Sequence, residues 1–175
     1  WEGSFQIKMS DLRIHKEILH YFRHIGKKYS TSATFDITSP ISTRFDAFYL
    51  CLVIGLLYKV HKEDLPPAHE TEEMLGRDFT ESYLGISKNT ILSLLLTSEI
   101  ERKQKKDENR VELSKFINSY LDTGPNSKIS AEAALQINRY VLGGYKKIKS
   151  KSPEPPGNFR EFINTYIDLL KDYKR

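Results

Sequence analysis

Two hydrophobic periods run through this chain. At the N-terminus Phe5, Ile7 and Met9 alternate with polar neighbours, which is the period of a short strand. Thr34 to Thr38 repeats that alternation through Phe35 and Ile37. Together they predict a small β-ribbon, which needs helices to pack on. From Asp11 to about Lys28 the period changes. Leu12, His15, Ile18, Leu19, Phe22 and Ile25 follow three–four spacing and predict a first helix, capped by Ser10 or Asp11 and ended near Gly26.

A second helix is predicted from Thr43 to about Lys59, after the turn signal Ser39-Pro40. Phe45, Phe48, Tyr49, Leu52, Ile54 and Leu56 spread around its circumference, so it belongs at the centre of a bundle or in a partner interface. The apolar run Phe45 to Val60 is interrupted by Asp46, Gly55 and Lys59. It is also shorter than the ~20 residues of a bilayer span, so a buried helix is expected and no membrane segment.

Pro66 and Pro67 mark a loop. A helix from Glu70 to Leu84 follows, with Met74, Leu75, Phe79 and Tyr83 inward and Gly85 as its stop. Ser87 caps the next helix, which runs to about Arg102, and residues 103–109 read as a charged turn. Leu113, Phe116, Ile117, Tyr120 and Leu121 form the stripe of a helix from Arg110 to Leu121. Ser130 caps another to about Ile148, in which Gly143-Gly144 allows either close backbone approach or a break. Residues 149–158, KSKSPEPPGN, form a linker. Asn158 and Glu161 supply a capping box for a last helix.

That last helix carries a broad apolar face of Phe159, Phe162, Ile163, Tyr166, Leu170 and Tyr173. Such a face must dock on its own domain or on another subunit, and these six residues are the candidate partner-binding set. The fold class is all-α: a compact bundle of about six to seven helices with a small N-terminal β-ribbon. Residues 1–148 form the helical domain, 149–158 the linker and 159–175 the docking helix.

Composition adds limits. Apolar residues at 39% and aromatics at 11% exclude a disordered chain. The single cysteine, Cys51, lies in the apolar second helix, which excludes a disulfide framework or a CxxC site and fits a reducing cytoplasm. Trp1 to Met9 carry no apolar stretch of the signal-peptide kind. The net charge of +4 is unevenly spread. Residues 61–86 hold seven acidic and two basic side chains, whereas 123–175 hold ten basic and five acidic ones. That polarity argues for distinct faces rather than a uniform coat on nucleic acid.

Candidate chemistry follows from three patterns. Phe79 to Ile91 resembles a helix-turn-helix signature: Gly85 at the turn, Ile86 and Ile91 as the lock, Ser87 as the cap. Lys88, Asn89 and Thr90 then face outward at the start of the second helix, where bases and phosphates are met. Two departures stand out. Glu81 occupies a position that normally takes a small residue, and Leu92, Leu94, Leu95 and Leu96 leave little polar surface. Two core helices joined by a Gly-Ile-Ser turn would give the same pattern.

Second, Lys146, Lys147, Lys149 and Lys151 form a basic run that could contact phosphates, with Tyr145 beside it as a stacking ring. Arg102, Lys103, Lys105 and Lys106 form another, but acidic neighbours interleave it and make it a solvated turn. Third, Glu17, His20 and His24 fall on one predicted helical face, a Glu-x-x-His step of the kind used in carboxylate-bridged metal sites. No second such motif accompanies it, so no metal site is expected. Phosphate-binding glycine loops and nucleophile elbows are missing from the sequence. Neither a catalytic residue, a cofactor nor a small-molecule substrate is expected.

Arg44 to Leu57 and Ala131 to Tyr145 resemble small helical accessory proteins of bacterial phage-defence operons, either those linked to DNA phosphorothioation or the middle subunit beside an SMC-like ATPase. The resemblance implies a non-enzymatic subunit that helps a partner ATPase or nuclease engage DNA, and it transfers no functional residue. The expected function is therefore an accessory or adaptor subunit that binds protein partners and touches DNA. The contrasting expectation is a self-contained helix-turn-helix transcription regulator.

Overall fold

A computed structural model describes residues 12–25, 41, 43–74, 88–103, 105, 109–121 and 130–173. Among these residues it is an all-α bundle with one small ribbon. Its elements are β1 (Arg13–His15), α1 (Lys16–Tyr21), α2 (Arg44–Tyr58), a 3-10 turn (Ala68–Glu70), β2 (Thr71–Glu73), α3 (Lys88–Arg102), α4 (Arg110–Tyr120), α5 (Ala131–Lys151) and α6 (Phe159–Tyr173).

Helix α2 lies at the centre. Thr43 and Asp46 form a reciprocal capping box: the Asp46 N–H donates to Thr43 Oγ1 at 3.3 Å and the Thr43 N–H to Asp46 Oδ2 at 2.7 Å. The helix ends in a Schellman motif, with Val60 N–H donating to Gly55 O and Lys59 N–H to Leu56 O. Lys59 occupies the left-handed position at φ 53°, a place that glycine usually takes.

Helix α5 crosses α2 at their glycines. A methyl on Gly144 would collide with Cys51 O and lie 2.6 Å from Gly55 N, and one on Gly55 would collide with Tyr140 O. The Gly143-Gly144 pair therefore serves close approach, and α5 continues through it to Lys151. This crossing buries Phe48, Cys51, Leu52, Ile54, Ile137, Tyr140 and Val141 between the two helices' neighbours.

The ribbon uses other strands than the alternating pattern indicated. Residues 5–9 and 34–38 lie outside the described residues. β1 instead pairs antiparallel with β2, with Ile14 opposite Glu72. The first helix was expected over 11–28, but residues 13–15 are strand and the helix spans only Lys16–Tyr21 before turns at 22–25. Likewise, a helix was expected from Glu70, but Thr71–Glu73 is strand. Partners distant in sequence decide both. Asn138 Oδ1 on α5 accepts the Arg13 N–H at 2.9 Å, Met74 N–H donates to Leu12 O at 2.8 Å, and Ile14 is fully buried. Helix propensity over so short a segment is too weak to compete.

Helix α6 docks back onto the bundle. Phe162 meets the Phe22 ring edge-on at 5.1 Å, Tyr166 OH donates to Leu50 O at 3.0 Å, and Tyr58 OH donates to Leu169 O. Its N-terminal cap differs in one detail from the sequence pattern. Asn158 Oδ1 accepts the Glu161 N–H, while Glu161 Oε2 accepts the N–H of Gly157 rather than that of Asn158. Among the described residues no helix is long and apolar enough to cross a membrane.

Candidate functional site

The basic run on α5 is mostly spoken for. Lys149 and Lys146 approach Glu17 on α1 at 2.5 and 3.7 Å. The Lys149 hydrogen bond, with help from Tyr145 and the Lys146 charge, outweighs desolvation and holds the Glu17 carboxyl below its ordinary range. Lys151 pairs with Asp172 of α6 at 3.0 Å. Lys147 instead places Nζ 4.6 Å from the Tyr58 ring centroid. Tyr145, the candidate stacking ring, is 1% exposed and packs edge-on against Tyr21, so no face of it is open to a base.

Glu17, His20 and His24 are not on one helix. Glu17 and His20 lie on α1, His24 follows in the turn, and Glu17 is held by the lysines. No group of three or more His, Cys, Asp or Glu side chains among the described residues is arranged to hold an ion.

Of the helix-turn-helix pattern, residues 79–87 lie outside the described residues. Lys88, Asn89 and Thr90 form the first turn of α3, and Thr90 is exposed. Behind them Ile91, Leu95 and Glu99 form the buried face of that helix.

Glu99 departs furthest from expectation, since it is one of the acidic neighbours that made the basic run at 102–106 read as a solvated turn. It is 0% exposed. Arg102 Nε and Nη2 donate to its two oxygens at 2.7 and 2.9 Å, Tyr140 OH to one at 2.7 Å and Tyr120 OH to the other at 2.9 Å. Burial alone would raise the carboxyl. The hydrogen bonds from Arg102, Tyr140 and Tyr120 and the Arg102 charge overcome it and hold Glu99 at about 2. Burial first, and the neighbouring carboxylate second, push both tyrosines upward. The carboxylate thus joins α3, α4 and α5. The available sequence signal was the spacing Ile91, Leu95, Glu99, which continues an apolar stripe at i, i+4, i+8.

The partner-binding set on α6 is divided. Phe162 and Tyr166 are buried in the chain's own core, Phe159, Ile163 and Leu170 are half-buried, and Tyr173 is 46% exposed. Tyr173 closes one end of an apolar groove of about 260 Å³ between α2, α3 and the end of α6. Val53, Leu56 and Leu57 line it from α2, and Leu94 of α3, 42% exposed, forms its lip. The Lys59–Glu101 ion pair, at 2.6 Å, bounds it. Nothing in the sequence marked this groove, because its walls come from three separate elements.

A second, smaller cavity of about 30 Å³ lies between the ribbon, the 65–68 loop and α5. No protein-family profile, curated protein or solved structure matches this chain.

Proposed function

We propose that the chain is a non-enzymatic adaptor subunit of a DNA-targeting complex of the phage-defence kind, and that its groove receives an apolar segment of a partner subunit, an ATPase or a nuclease. The groove carries this reading. Leu94 and Tyr173 keep large apolar surface in water on either side of a depression already floored by leucine and valine, and exposed apolar patches of this kind mark contact sites. The resemblance of Arg44–Leu57 and Ala131–Tyr145 to accessory subunits supplies the biological context. DNA contact, in this reading, falls to Lys88, Asn89 and Thr90 at the start of α3 and to Lys147, which has no carboxylate partner among the described residues.

The test is reconstitution with a candidate SMC-like ATPase and nuclease, followed by light scattering on the eluted complex. Leu94→Glu should abolish co-elution while leaving the melting temperature within a few degrees of wild type. Co-elution unchanged by Leu94→Glu would refute the groove. A discrete dimer that binds one duplex sequence without any partner would favour the transcription-regulator reading instead.

A further inference from the structure

We propose that His61 is a proton-operated latch that holds the loop after α2 against α5. Its side chain is 6% exposed, and an oxygen stands at each ring nitrogen. Nε2 lies 2.5 Å from Gln136 Oε1, and Nδ1 lies 3.2 Å from Glu63 Oε1. The Gln136 amide is set in that orientation, because its Nε2 donates to Glu132 Oε1 at 2.8 Å. The ring therefore donates from Nε2 in either protonation state. A neutral imidazole has no second proton for Nδ1, whose lone pair would then face the Glu63 carboxylate. Only the doubly protonated ring satisfies both contacts, and its bond to Glu63 is charge-assisted.

Glu63 is the part that moves. Its side chain is 70% exposed, whereas Gln136 is buried. Its second oxygen lies 3.5 Å from Arg139 Nη2 on α5, a contact it keeps when the ring lets go. Also from α5, the Tyr140 ring stands edge-on to His61 at 5.3 Å. The Tyr140 hydroxyl is committed to Glu99, which in turn is paired with Arg102. Lys62 and Asp64 flank Glu63 on the exposed loop. The loop backbone has a long hydrogen bond to α5, from the Lys62 N–H to Arg139 O at 3.4 Å. Loss of the Nδ1 proton to water thus releases Glu63 and loosens the loop, and its return closes the latch. Imidazole is the side chain whose ordinary titration lies near neutral pH, which suits it to such a switch.

The latch is separate from the groove, so neither test bears on the other. Its test is a pH titration of the full chain by NMR, following the His61 ring nitrogens and the Glu63 carboxyl carbon. Besides its own acidic step, Glu63 should show a second step with the midpoint read at His61. Nδ1 should be the nitrogen that loses its proton. Exchange of the Lys62 amide, corrected for its intrinsic rate, should rise severalfold across the same midpoint. Glu63→Gln should move the His61 midpoint down by about half a pH unit, as expected for a largely exposed partner. His61→Gln should remove the second step at Glu63, and each variant's melting curve establishes that it folds. No second step at Glu63, its persistence in folded His61→Gln, proton loss from Nε2 instead, unchanged Lys62 exchange, or an unmoved midpoint in Glu63→Gln would each overturn the latch.

Discussion

Replacing Glu99 by glutamine keeps the shape of the side chain and removes its charge. In the native protein the carboxylate accepts two bonds from Arg102 and one each from Tyr120 and Tyr140. Its pKa falls from the ordinary 4.5 to about 2. At ~1.36 kcal/mol per pH unit, that drop corresponds to about 3 kcal/mol of stability. Breaking a buried pair by removing one partner costs a similar ~3–5 kcal/mol. The sign follows from the direction of the shift. The folded carboxyl binds its proton less readily than the unfolded one, so the contribution is fully present above pH 4.5 and is lost as pH falls towards 2. Urea unfolding at pH 7 should therefore place Glu99→Gln about 3 kcal/mol below wild type, with a melting temperature lower by about 6–12 °C. The gap should narrow steadily between pH 4.5 and pH 2. A difference under about 1 kcal/mol at pH 7, or a gap that does not change with pH, would refute the assignment of Glu99 as a charged keystone.

Further outcomes follow from the helix crossing and the end of α2. Gly144→Ala should cost about 3 kcal/mol or more in thermal unfolding, because the methyl meets the backbone of α2. Gly157→Ala, whose methyl would come no closer than 3.4 Å to Glu161 Oε2, should be nearly neutral and serves as the control. Lys59→Gly should melt about 2–4 °C above Lys59→Ala. Both variants lose the Glu101 pair, so the difference isolates the left-handed backbone at φ 53°. Equal melting temperatures would show that the backbone at this position carries no penalty for a side chain.

Much of the helical framework was readable before any coordinates. Ser130 and Asn158 announce their helix starts through local side-chain chemistry, and each accepts the backbone N–H three residues on, although Glu161 closes its half of the expected box on Gly157. The all-round apolar character of residues 45–57 left α2 either at the centre of a bundle or in a partner interface, and the packing puts it at the centre. The ribbon is another matter. Thr71, Glu72 and Glu73 have no strand signal of their own and become a strand only because Arg13, Ile14 and His15 lie alongside. The candidate sites were still less legible. The lysines of α5 looked alike in sequence, yet Lys146, Lys149 and Lys151 find carboxylates on α1 and α6 while Lys147 finds a ring on α2. A run of charge records what the side chains are and says nothing of what stands opposite.

Periodicity and caps act within one or two helical turns, and for that reason the sequence alone determined an all-α chain, the starts of α2, α5 and α6, and the need of α6 for a docking face. The tertiary structure decided what depends on residues far apart in the chain. It set Gly55 against Gly144 and withdrew Glu99 from water by giving it three donor residues on three helices. Each rests on long-range proximity, which local propensity does not encode and which only the packed backbone creates.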